Sequence, residues 1–154
     1  MFEDLSTITL SGMELPIKCD FVVLEKIQSR YGSITEFENL IYRFVPELDK
    51  DGQPKWTEEG AMLGSIMTPP DLSALGSALV WMVREGIEIA LDSGKLSNGE
   101  AERLKSLNAD RIKRLVDIPP YELSDLVHDE FLRAFERKNS TTPQTLAGET
   151  ETTA

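Results

Sequence analysis

Residues 7–33 read TITLSGMELPIKCDFVVLEKIQSRYGS, and the architecture can be worked outward from them. Ser11 and Gly12 sit between two alternating runs, and a two-residue loop containing glycine is a common hairpin connection. The register that follows pairs Leu10 with Met13 and Ile8 with Leu15. One face then carries Ile8, Leu10, Met13, Leu15 and Ile17, while Thr7, Thr9, Glu14, Pro16 and Lys18 take the other, wet face. Pro16 falls in a non-hydrogen-bonded pair, where its missing N–H would have pointed out along the free edge. The second strand of a hairpin over residues 7–18 is thus expected to be a protected edge.

A helix follows without a linker. Asp20 can cap it, Phe21, Leu24, Ile27 and Tyr31 recur at helical spacing, and Gly32 suits the left-handed residue that ends it. Ser33 and Glu36 form an S-x-x-E capping box for a second helix carrying Phe37, Leu40, Ile41 and Phe44. Two strands alone are marginal in water, so the hairpin's apolar face is expected to pack on these helices.

The composition sets bounds on the rest. A chain of 154 residues is one domain by default, and at that size about 65–70% of the unfolded surface is buried on folding. The formal charge of −11 and pI near 4.5 disfavour gripping nucleic acid or an anionic membrane, because phosphate affinity is carried by Lys and Arg. No nucleic-acid or membrane partner is expected. The acidic residues are spread along the chain: nine against five basic in 1–50, eight against three in 51–100, ten against eight in 101–154. No segment stands out as a mimic of DNA. Cys19 is the single cysteine, so no internal disulfide forms, and the N-terminus lacks the pattern of a secretory signal. A soluble cytosolic protein is the plain expectation.

Downstream, VPELDKDGQPKWTEEG interrupts the helical pattern. Its DKDG turn and Pro54 predict an exposed excursion over 45–70, with room for a second small hairpin carrying Trp56. Asp49 and Asp51 start like a calcium loop, but Pro54 and Gly60 stand where that loop needs Gly and a bidentate Glu. After Pro69 and Pro70 comes the strongest helix, capped by Asp71, with Leu72, Leu75, Ala78, Leu79, Met82, Ile87 and Leu91 over a wide face. Gly76 and Gly86 either weaken it or mark close approach of another backbone. Ser97 and Glu100 open a further helix with Leu104 and Leu107; Ile112, Leu115 and Val116 continue in a short element that Pro119 and Pro120 stop. A last amphipathic helix is predicted from Tyr121 to about Lys138, with Leu123, Leu126, Val127, Phe131, Ala134 and Phe135. The expected organisation is one mostly α, α+β domain over 1–138, a hairpin on a small helix bundle, followed by a disordered tail over 139–154. No internal repeat and no sustained heptad is read.

The search for chemistry is short. His128 is the single histidine, on a charged part of the last helix, where a surface role is expected. One Cys and one His do not make a zinc site, and no phosphate loop or dinucleotide fingerprint is present. Glu58–Glu59 and Asp129–Glu130 are adjacent carboxylates that point apart on a helix, so solvated charge is the better account. No enzymatic activity, catalytic residue, metal or cofactor is expected. What stands out are Trp56, Met62, Met67, Trp81 and Met82, because Met and Trp are favoured at surfaces that adapt to a partner. For Trp81 and Met82, deep in a periodic helix, a core role competes and has the better pattern. For Met62 and Met67, among Gly60, Gly64 and the double proline, the two readings balance.

The pattern ITLSGMELPIKCDFVVLEKIQSRYGS, with LVWMVREGIEI after an acidic, variable loop, resembles the tail assembly chaperones of long-tailed phages and prophages of Gram-positive bacteria. The likeness covers roughly residues 5–92. It implies a non-enzymatic protein that binds the tape measure protein, keeps it soluble and helps recruit tail tube subunits. It further implies action in the host bacterial cytoplasm and absence from the mature virion. Self-association stays open as a further contact. Two other classes stand beside it: a structural tail or connector subunit, and an acidic regulatory protein that blocks a host factor.

Overall fold

The computed structural model describes residues 2, 4–42, 44–66 and 70–136. Its first element pair is the hairpin β1 (Ser6–Leu10) and β2 (Met13–Ile17), in the register Leu10 to Met13 and Ile8 to Leu15 that the turn predicts. Ser11 and Gly12 both take positive φ, 50° and 74°, the pair of left-handed residues that matches the twist of the strands. Ile8, Leu10, Leu15 and Ile17 are buried. At about 1.5–3 kcal/mol each they contribute on the order of 6–12 kcal/mol gross, before the entropy of ordering is subtracted.

Six helices follow among the described residues, and the fold is α+β, mostly α. Helix α1 (Phe21–Tyr31) starts where Asp20 Oδ1 accepts the Val23 N–H, and ends at Gly32 with φ 90°. Helix α2 (Ile34–Ile41) is capped by Ser33, whose Oγ accepts the Glu36 N–H. Helix α3 (Leu72–Asp92), capped by Asp71 through the Ala74 N–H, is the central element and touches the hairpin and every other helix. Helices α4 (Asn98–Lys105) and α5 (Ala109–Arg114) are capped by Ser97 and Asn108. Helix α6 (Pro120–Arg133) begins with Pro120 at its first position, where a missing N–H costs nothing.

The hairpin is fastened to this bundle at three places. At its tip, the Ser11 hydroxyl donates to the Leu115 carbonyl just past α5 (2.7 Å). Along β2, the Pro16 carbonyl lies on Gly86 of α3 so closely that a Cβ there would stand 2.4 Å from its oxygen. The Lys18 N–H then donates to the Met82 carbonyl of α3 (3.0 Å). Gly86 therefore marks a close approach of backbones. At the exit, the Cys19 N–H donates to Glu130 Oε2 on α6 (3.0 Å).

Several expected faces are corrected. Pro16 is buried, because the edge of β2 is covered by α3 instead of solvent. Phe21 (77% exposed) and Leu72 lie outside the core for one shared reason: each is the first residue of its helix, and helical side chains lean back toward the N-terminus, past the cap and into water. Val23, next to Leu24, takes the core position in α1. Leu126 and Phe135 are exposed on and beyond α6, which ends at Arg133, short of Lys138. Phe44 is not on α2 but opens a strand. The disorder expected for 139–154 concerns residues outside the described ones.

Between α2 and α3 the chain leaves the bundle and returns. β3 (Phe44–Pro46) pairs with β4 (Gly64–Ile66), and two further bridges, Leu48 to Pro54 and Trp56 to Met62, close two more arms. The arms meet in a ring of backbone hydrogen bonds: Glu47 N–H to Leu63 C=O, Leu63 N–H to Lys55 C=O, and Lys55 N–H to Glu47 C=O, at 2.8–2.9 Å. The three ring residues are spaced evenly in sequence, and so are the two turns between them. Asp49–Gln53 and Thr57–Ala61 share one design: a first-residue side chain accepts the fifth residue's N–H, and Gly52 or Gly60 sits fourth at φ 82° or 91°. A short structural repeat is thus present where none was read. The Asp49 carboxylate caps its own turn, which is the alternative to a calcium ligand that its spacing favoured.

Candidate functional site

The alternation of a strand fixes what this three-armed sheet presents. Bridge partners share a face, and so do residues two apart on one strand. The chain of pairings from Phe44 and Pro46 through Leu48, Pro54 and Trp56 to Met62 and Gly64 therefore runs over a single face. Every residue on it is apolar. The Phe44 ring confirms the placement, since a Cβ on Gly64 would meet its Cζ at 2.4 Å. The ring residues Glu47 and Lys55 fall on the opposite face, where they form an ion pair of 2.9 Å that raises Lys55 above its usual pKa.

No described side chain from Phe44 to Ser65 is buried. Leu48 is 54% exposed and Trp56 58%. An exposed apolar face on a module that lends no buried residue to the core is a candidate contact surface. Its turn tips carry Asp51, Glu58 and Glu59 against Lys50, so the rim is acidic on balance.

The five residues singled out from sequence divide among three settings. Trp56 and Met62 are brought together as cross-strand partners on the open face. Met67 lies outside the described residues. Trp81 is half-buried on α3 against Tyr31 of α1 (centroids 6.4 Å apart), beside a shallow depression lined by Val22, Lys26 and Arg30. Met82 is 1% exposed and belongs to the core, so its assignment to a partner surface is corrected: one residue along a helix rotates a side chain by about 100°, which turns Met82 inward where Trp81 stays at the rim. Leu48 and Phe44 were missed. The signal for them was the evenly repeated turn pattern, which fixes the pairings and so the face.

The polar groups of the body are structural. His128 is buried, stacked on Tyr42 at 4.0 Å and bonded through Nε2 to Glu38 Oε2 at 2.8 Å, which corrects the expected surface role. Glu130 is likewise buried, not solvated: it accepts from the Cys19 N–H and from Arg133 Nη1 (2.8 Å). Burial, then the neighbouring Glu130 and Asp20 carboxylates, pushes the Cys19 thiol up to about 12, which leaves little thiolate for nucleophilic chemistry at neutral pH. Glu85 on α3 shares a hydrogen bond with Asp20; that bond, burial and the Asp20 and Glu88 charges raise its pKa to about 7, against Lys26. Among the described residues, no three His, Cys, Asp or Glu side chains converge as a metal site, and no helix is long and apolar enough to cross a membrane.

Comparison with models of protein families, with curated proteins and with solved structures finds no match for this chain.

Proposed function

We propose that the chain is a non-enzymatic tail assembly chaperone of a long-tailed phage or prophage, working in the host bacterial cytoplasm and lost before the virion matures. It binds the tape measure protein, keeps it soluble and helps recruit tail tube subunits. Two things support this reading. The first is the resemblance carried by ITLSGMELPIKCDFVVLEKIQSRYGS and LVWMVREGIEI. The second, which carries most, is an open apolar face on a module that adds nothing to the core of a well-packed bundle. A holder of apolar segments needs a surface that excludes water from its client without giving up its own fold.

Co-expression tests the reading. A tape measure protein that this chain serves is expected in the soluble fraction when the two are made together, and in the pellet when it is made alone. Equal precipitation in both cases contradicts the chaperone role. Recovery of this chain in stable rings from purified particles favours the tail or connector subunit instead.

A further inference from the structure

The open face of the three-armed sheet is the most extended unexplained feature of the molecule, and its surroundings say what chemistry covers it. We infer that this face takes a polypeptide segment whose apolar side chains are flanked by Lys or Arg. The inference rests on the reading of the module as a partner surface and adds the partner's charge.

Four observations carry it. Leu48, Pro54, Trp56 and Met62 form one contiguous apolar strip across two arms, set by the bridges Leu48 to Pro54 and Trp56 to Met62. The tips of those arms hold Asp51, Glu58 and Glu59 against one lysine, Lys50, while the module's other lysine, Lys55, is paired to Glu47 on the far face. An apolar segment lying along the strip therefore ends beside carboxylates, and cationic flanks meet them. The whole chain, at −11, attracts such a segment from a distance and repels an acidic one. A second copy of this chain is a poor occupant for the same reason, since closing face on face sets one acidic rim against another.

The backbone of the module is suited to receiving a partner without collapsing. Its hydrogen-bond ring through Glu47, Lys55 and Leu63 closes independently of any side chain on the open face. Trp56 supplies a large rigid contact, and Met62 opposite it an adaptable one.

The test uses the full chain and two fluorescent synthetic amphipathic peptides of roughly 18 residues, five helical turns. Both have the same leucine stripe; one has a lysine polar face and the other a glutamate one. The lysine peptide is expected to bind at least about tenfold tighter at low salt, with the gap narrowing as salt rises. The variant Leu48→Ser/Trp56→Ser/Met62→Ser is expected to weaken lysine-peptide binding about tenfold or more. Glu58→Lys/Glu59→Lys, which leaves the strip and the ring intact, is expected to shift preference toward the glutamate peptide. Glu102→Lys/Asp110→Lys, an equal charge change on α4 and α5, is expected to leave the preference in place.

Three results overturn the inference: equal binding of the two peptides, undiminished binding by the triple variant, or an effect of the α4 and α5 charges as large as that of the turn tips. Dimerisation of the free chain that the triple variant abolishes overturns it as well, by giving the face to a second copy. A failed charge preference in the wild-type chain, together with a triple variant that loses the tape measure protein on co-expression, removes the charge rule and leaves the chaperone reading standing. Retention of that protein by the triple variant removes the surface itself.

Discussion

The N-terminal hairpin and the three-armed sheet each present an unbroken apolar face, yet only the hairpin's is covered. In the hairpin, Leu10 and Leu15 are fully buried, and backbone bonds from Lys18 and Cys19 tie its exit to α3 and α6. In the sheet, Trp56 and Leu48 stand in water and the backbone bonds close on one another. Alternation alone does not distinguish the two. One difference is a glycine: Gly86 lets α3 come within backbone contact of β2, and among the described residues no helix glycine makes such an approach to the sheet. The first face is buried in the fold and the second stands open.

Two alanine substitutions divide the modules most sharply. At Gly86 a Cβ meets Pro16 O at 2.4 Å and Ile17 N at 2.8 Å, and strand backbone cannot rotate aside. Gly86→Ala is expected to cost about 2–3 kcal/mol despite alanine's better helix propensity, and to lower the thermal midpoint by roughly 4–12 °C. At Gly64 a Cβ meets Val45 O at the same 2.4 Å. There the loss stays local. Gly64→Ala should leave the global stability within about 0.5 kcal/mol of wild type while the amides of Glu47, Lys55 and Leu63 lose protection in hydrogen exchange. Equal midpoint losses for the two variants would merge the modules into one cooperative unit.

A smaller effect is expected at the hairpin's exit. Glu130→Ala leaves the Cys19 N–H buried without an acceptor and Arg133 without its partner, which should cost about 1–3 kcal/mol in denaturant unfolding. The smallest effect depends on pH. Glu85 has a folded pKa near 7, raised from 4.5, so the folded chain holds this proton more tightly than the unfolded one. Its contribution to stability is fully present below about 4.5 and is lost as pH rises through about 7. Glu85→Gln keeps a donor for Asp20 without the charge. Its midpoint relative to wild type should therefore rise between pH 5 and pH 8, and a flat difference across that range would remove the Asp20–Glu85 bond from the account.

Much of the body was legible because it is locally determined. Ser11–Gly12 with its flanking alternation specifies the hairpin and register, and Asp20, Ser33, Asp71 and Ser97 announce their helices. Long-range partners were not legible: His128 finds Glu38 on α2 and Tyr42 just past its end, far earlier in the chain, and nothing near His128 signals them. Helical spacing also gives a stripe without saying where the stripe stops, which is why Phe21 and Leu72 were counted inward. The candidate site was half legible. Trp56 and Met62 were marked by residue type, but their shared face needed the pairings that the repeated turns create.

The Asp71 N–H donates to the Leu40 carbonyl at 2.8 Å, so the two ends of the chain that leave and rejoin the bundle are already side by side. That makes the central claim open to one direct measurement, the thermal unfolding of a chain in which residues 44–66 are replaced by a short Gly-Ser link. If the sheet lies outside the folding unit, this chain unfolds in one cooperative transition with a midpoint within a few degrees of wild type, since shortening a surface loop costs little. Loss of the cooperative transition, or a midpoint fall as large as that of Gly86→Ala, would contradict the claim and return the open face to the fold.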